Sequence, residues 1–124
     1  MTHQPADEPI GITVDEPTPG TAVLRVGGEV DMLSSPRLRK TVAAALEPGL
    51  RHLVIELDGV DFLGTSGLAA LVEARSSAQE CGCRLTLACS TRTVLRPLQI
   101  AGLLELFAVT GSVDEALTAT PTEG

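Results

Sequence analysis

The stretch "LVIELDGVDFLGTSGLAALVEA", Leu53 to Ala74, begins as a continuous apolar run, breaks at Gly64-Thr65-Ser66-Gly67 and at once turns apolar again. Unbroken Leu-Val-Ile marks a strand covered on both faces, as in a parallel sheet. The run "RHLVIELDG" is therefore read as a strand ending near Gly59. Beyond the two hydroxyls a helix is expected from about Ser66 to Cys81, stopped by Gly82, because glycine takes the left-handed conformation that ends helices. A strand thus hands over to a helix, with two hydroxyls at the junction.

The same reading extends in both directions. Upstream, "IGITV" and "TAVLRVGG" are rich in branched residues, and "EPTPG" between them carries strong turn signals, so they form a hairpin. In "EVDMLSSPRLRKTVAAALEPG", Ser35 is expected to cap a helix, Pro36 suits its first turn, and Leu38, Val42, Ala45 and Leu46 recur at helical spacing. Pro48 and Gly49 end it. Downstream, "RLTLAC" reads as a strand and "TRTVLRPLQIAG" as a helix kept brief or bent by Pro97. "LLELFAVTG" reads as a last strand, and "SVDEALTA" as a last helix capped by Ser112, with Asp114 and Glu115 in its first turn. The order β-β-α-β-α-β-α-β-α predicts an α/β layer fold on a mainly parallel sheet, the opening hairpin adding an antiparallel strand. One domain is expected over residues 10–120, after a mobile, acidic and proline-containing tail over residues 1–9.

Composition narrows the function. Two phenylalanines with no Trp or Tyr leave little to stack on nucleic-acid bases, and a formal charge of −7 repels phosphate backbones. The densest basic cluster, Arg37 to Lys40, falls on the first helix and reads as a solvated face. No apolar run is long enough for a membrane span and the amino terminus is polar, so a cytoplasmic protein with no nucleic-acid or membrane partner is expected. Three cysteines, an odd number, fit a reducing compartment. Cys81, Cys83 and Cys89 lack a nearby His to complete a zinc pattern and are expected to be buried or half-buried thiols, with no metal and no cofactor.

The Gly-Thr-Ser-Gly turn admits several readings. Thr65 or Ser66 could accept a hydrogen bond from the free N–H groups of the helix, as such residues do at most helix starts. A nucleophile elbow would need a histidine after the serine, but the histidines are His3 and His52, both before it. A phosphate-binding loop would need Gly-Lys-Ser/Thr, which does not occur. Ser66 could also accept a phosphate, since a helix N-terminus tolerates the added charge. The helix that follows, "GLAALV", is apolar nearly all round its first two turns, which asks for a neighbouring helix or a partner.

From Ile10 to about Leu117 the chain resembles the anti-sigma factor antagonists, small bacterial STAS-domain proteins. Gly28-Glu29-Val30-Asp31 is similar to the family's turn into its first helix, Ser66-Gly67-Leu68 falls on the family's phosphorylated serine, and Val94, Arg96, Leu98, Gly102 and Leu103 match its late helix and loop. The resemblance implies a sheet packed mostly on one side by helices, and a protein that catalyses nothing. It further implies that the unphosphorylated form binds an anti-sigma factor that is also a serine kinase, displacing the sigma factor. Phosphorylation by that kinase releases it, and a serine phosphatase resets it. On this reading Ser66 is the acceptor, with Thr65 as second choice. The partner surface comprises Asp31, Met32, Leu33, Ser34, Gly64, Thr65, Ser66, Gly67, Leu68 and Leu71, on a monomer or weak dimer. One departure stands out: the family often carries Asp two residues before the serine, where this chain has Gly64. That departure supports a second reading, a STAS scaffold whose turn is never phosphorylated. A hydrolase using Ser66 is the third.

Overall fold

Runs of Val, Ile and Leu lay five strands side by side in the order β1-β2-β3-β4-β5. The structure, a computed structural model, describes residues 10–119; the tail expected over residues 1–9, and residue 120, lie outside the described residues. β1 (Ile10–Thr18) and β2 (Thr21–Val30) form the antiparallel hairpin, turning through Gly20 at φ +86°. Glycine enters that left-handed region without a Cβ clash. β3 (His52–Leu63), β4 (Arg84–Ala88) and β5 (Ala108–Thr110) extend the sheet, each parallel to its predecessor. The connections are α1 (Ser35–Ala45), α2 (Thr65–Glu80), α3 (Arg92–Ile100) with a 3-10 turn at Leu104–Leu106, and α4 (Val113–Thr118) follows β5.

The two-residue period of strands divides the sheet into unequal faces. Ala22, Leu24, Leu53, Ile55 and Leu87 point into the main core, where they meet Leu38 and Val42 of α1, Leu71 and Ala74 of α2, and Val94 and Leu98 of α3. The intervening residues Val23, Val54 and Ala88 form a smaller cluster with Val113 and Ala116 of α4. Helices therefore lie mostly on one side. The remainder of the second face is polar: Arg25 stands 3.4 Å from both Asp15 and Glu56, and His52 is buried there.

Four local expectations are corrected. β3 continues past Gly59 because it carries two extra residues against β2: Arg25 opposes Glu56 but Gly27 opposes Gly59, and Gly28 opposes Val60 but Glu29 opposes Phe62. Each bulge resets the alternation, so Ile55, Leu57, Val60 and Leu63 all reach the main core at uneven spacing. The N-cap position of α1 is Ser34 rather than Ser35, which is the first helical residue and buried, and no side chain caps the helix because the Ser34 hydroxyl turns back to Glu29 O and Asp31 N. "LLELFAVTG" is a strand only over its last part, because Leu103, Leu104 and Phe107 reach the core at the spacing of a helical turn. Cys81 is exposed, whereas Cys83 and Cys89 are buried as expected. Elsewhere the local chemistry follows the sequence: the Ser112 hydroxyl accepts from Glu115 N at 3.1 Å, and Gly82 ends α2 at φ +71°. α3 spans nine residues with Pro97 inside it.

The buried polar group on the second face makes stability pH-dependent. His52 Nε2 lies 2.9 Å from Thr86 Oγ1, and Arg84 Nη2 lies 3.1 Å from His52 Nδ1. Burial, with the Arg84 charge added, lowers the imidazole from 6.5 to about 4. The folded state thus holds His52 neutral, so its contribution is complete above about pH 6.5 and is lost as pH falls toward about 4. The loss runs at up to about 1.4 kcal/mol per pH unit. Urea denaturation of the wild type should fall more steeply across this window than that of His52→Gln. Parallel curves would show that the imidazole is not kept neutral by the fold.

Candidate functional site

β2 and β3 end side by side, with Val30 opposite Leu63, at the carboxyl edge of the parallel strands. Crevices beyond this edge are where open α/β sheets place their sites. The two loops that leave it are tied together at once, since Gly64 N donates to the Val30 carbonyl at 2.9 Å.

The first loop is a turn built on Asp31. Its Oδ1 accepts from Leu33 N and Ser34 N, both at 3.0 Å, and the Ser34 hydroxyl donates to the Glu29 carbonyl at 2.7 Å. Asp31 N in turn donates to Ser34 Oγ at 2.9 Å. Hydrogen bonds from Ser34 and Leu33 to the carboxylate hold Asp31 below the usual carboxylate range. The turn closes on Ser34, which is buried, and leaves Met32 and Leu33 projecting outward.

The second loop starts α2 on the sheet itself. A Cβ built at Gly67 would stand 2.7 Å from both Val30 Cγ1 and Leu63 Cδ1, and 3.1 Å from the Val30 carbonyl oxygen. Only glycine lets the first turn of α2 approach so closely. Neither Thr65 nor Ser66 caps the helix, contrary to the commonest use of such residues: the N-cap is Gly64, and no side chain caps α2. Thr65 is exposed and Ser66 half-buried on the first turn, whose amide groups have no carbonyl partner within the helix. α3 also begins without a side-chain cap, at Thr91.

Large apolar side chains gather in the open at this edge. Met32 is 74% exposed, Leu33 85%, Phe62 52% and Ile100 73%. Between the β3–α2 turn and α3 runs an open groove of about 730 Å³, lined by Phe62, Gly64, Thr65, Leu68, Arg92, Arg96, Pro97 and Ile100. Asp31, Met32, Leu33, Gly64, Thr65, Ser66 and Leu68 therefore lie in the two loops or on the groove. Ser34, Gly67 and Leu71 do not reach the surface: Leu71 is fully buried in the main core, whereas Leu68 is half-buried and lines the groove. The sequence reading missed Phe62, Arg92, Pro97 and Ile100 as surface-forming residues. Phe62 was hidden by the bulge that turns it outward, and Ile100 by its position off the Val94–Leu98 stripe.

A family model for the STAS domain matches residues 14–116. The chain is 30% identical over 115 residues to the anti-sigma-F factor antagonist RsfB of Mycobacterium tuberculosis, covering 91% of each chain. It belongs to the STAS family of anti-sigma factor antagonists. A crystal structure of an anti-sigma factor antagonist from Mycobacterium paratuberculosis superposes with a TM-score of 0.77 at 31% identity, over 91% of this chain and 95% of that one. The unphosphorylated form of the anti-sigma factor antagonist SpoIIAA shares the fold, with a TM-score of 0.73 at 19% identity over 86% of this chain and 93% of that one. SpoIIAA of Bacillus has also been solved in a phosphorylated form, with a TM-score of 0.67 at 19% identity over 86% and 96% of the two chains.

Within this STAS domain, Gly67 offers a direct test of how α2 is seated. Gly67→Ala adds about 1 kcal/mol of helix propensity, but its methyl group overpacks the contact with Val30 and Leu63. Overpacking of this kind costs roughly 1–3 kcal/mol. Thermal unfolding should show a net loss of stability. A melting temperature at or above that of wild type would mean that α2 lifts off β2 freely.

Proposed function

We propose that this STAS protein is an anti-sigma factor antagonist whose binding is switched off by phosphorylation at Ser66, with Thr65 as the second choice. The unphosphorylated chain binds an anti-sigma factor that is also a serine kinase, and a serine phosphatase restores it. The protein acts by binding, catalyses nothing and works in the cytoplasm. Among the described residues, no helix is long and apolar enough to cross a membrane.

One observation carries this reading: Ser66 stands on the first turn of α2, which no side chain caps, at the edge where β2 and β3 end together and where Met32, Leu33 and Phe62 are exposed. A phosphate there adds about −1.5 to −2 charges. Within the monomer that charge meets the free amides and the positive end of the α2 dipole, which favour it. At a partner surface the same charge has to be desolvated against Met32, Leu33 and Phe62. The fold tolerates the modification and the complex does not.

Ser66→Ala should melt as wild type does, because the hydroxyl caps nothing, and it should take up no phosphate from the cognate kinase. Ser66→Asp should lose at least about tenfold in affinity by calorimetric titration, on the order of 1.4 kcal/mol, with its melting temperature barely moved. Phosphate uptake by Ser66→Ala but not by Thr65→Ala would assign the acceptor to Thr65. Equal losses of stability and affinity in Ser66→Asp would mean that the charge unfolds the turn.

A specific observation favours the second reading, a STAS scaffold that is not phosphorylated. A Cβ at Gly64 would meet the Phe62 ring at 3.0 and 3.3 Å, so an aromatic side chain occupies the place where relatives often carry Asp. Gly64→Asp puts a preferred N-cap residue at the start of α2 and should stabilise the fold by a few tenths of a kcal/mol, with Phe62, half exposed, swinging aside. Phosphate uptake by Gly64→Asp but not by wild type, measured by intact mass after incubation with the kinase and ATP, would establish the scaffold reading for the natural chain.

A further inference from the structure

Two arginines beside the apolar groove are left without counter-charges. Arg92 and Arg96 stand four residues apart on α3, hence on one face of it, and both line the groove with Phe62, Leu68 and Ile100. The chain has 16 acidic and 9 basic side chains, so carboxylates are in surplus. Arg25 and Arg39 accordingly form ion pairs, while Arg37, Arg75 and Arg84 donate to Ile10 O, Leu106 O and His52. Among the described residues, Lys40, Arg51, Arg92 and Arg96 make neither an ion pair nor a side-chain hydrogen bond, and of these four Arg92 and Arg96 are the two that line the groove. The uncapped amino end of α3 adds its partial positive charge next to Arg92.

We infer that this groove receives a segment of the anti-sigma partner that carries an apolar side chain flanked by two carboxylates, with Arg92 and Arg96 as their counter-charges. The inference rests on the antagonist reading above and adds the chemistry of the partner. Guanidinium groups suit carboxylates because their planar donor fork binds both oxygens, and beside an apolar groove the pair is partly desolvated and strengthened. The overall charge of −7 would repel an acidic segment at long range, but at physiological ionic strength charges farther than about 8 Å are screened. The local arginine pair then sets the sign that an arriving segment meets. The apolar side chain fills the groove between Phe62 and Ile100, and the carboxylates fix its register along α3.

The test is a calorimetric titration of the full chain against each purified anti-sigma factor kinase encoded in the source genome, at about 50 and 300 mM salt. Wild type should bind one of them, more weakly at the higher salt. Arg92→Glu/Arg96→Glu should lose at least about tenfold in affinity, or about 1.4 kcal/mol, and Arg92→Lys/Arg96→Lys should keep most of it. Lys40→Glu/Arg51→Glu, which changes the net charge equally away from the groove, should bind as wild type does. Melting curves of all variants check the fold; should the double Glu variant unfold, Arg92→Gln/Arg96→Gln supplies the same readout. Wild-type binding that the Glu or Gln pair leaves within about twofold would overturn the inference and leave the antagonist reading standing. Absence of wild-type binding to every kinase would overturn both. Binding of ATP or GTP to the free chain, or self-association in sedimentation, that disappears in the double Glu variant would also overturn it, by assigning the arginines to a nucleotide or to a second copy of the chain.

Discussion

The contact on which the site depends is the one between the last residue of β2 and the first turn of α2. The Val30 carbonyl accepts from Gly64 N at 2.9 Å, and the Val30 side chain lies where a Cβ on Gly67 would have to be. Through these two contacts the position of Ser66 is set by the sheet rather than by its own loop. The Asp31 turn leaves the sheet from the same residue, so Met32 and Leu33 are held at a fixed offset from Ser66. Rigid placement on scaffold elements is what allows small chemical changes on a binding surface to be read by a partner.

The two faces of the sheet divide the labour between stability and recognition. The main face carries α1, α2 and α3, and its packing fixes the direction of both α2 and α3. The second face is finished by the short α4 and by polar contacts around His52, Arg84 and Arg25. Neither face needs the carboxyl edge of β2 and β3 for burial, so exposed Met32, Leu33, Phe62 and Ile100 can remain there. An apolar edge that the core does not require suits a docking surface.

A helix start left without a side-chain cap leaves its amides available to an added anion. Gly64 does not contribute a side-chain oxygen, and Thr65 and Ser66 are not used to supply one. Under the proposed function the same site tolerates negative charge from within the monomer and opposes it across an apolar interface. The switch proposed above rests on that asymmetry, which would change binding without changing the fold.

The sequence by itself determined the element order, the antiparallel hairpin, the parallel strands, the Gly82 and Ser112 helix signals, and the placing of Ser66 at a strand-to-helix junction. These follow from local chemistry: side-chain periodicity, glycine at positive φ, and hydroxyls that accept from free amides. Only the tertiary structure decided the rest. The bulges of β3 exist only against β2, so no local pattern announced that β3 would reach Leu63 or that Phe62 would turn outward. Leu71 and Leu68 are both apolar residues early in α2, and it is the angle at which α2 lies on the sheet that buries the first and half-exposes the second. Arg92 and Arg96 acquire a role only because α3 packs across β3 and brings them to the groove beside Phe62. Their lack of carboxylate partners is a fact about distances in space, which neighbours in sequence do not record.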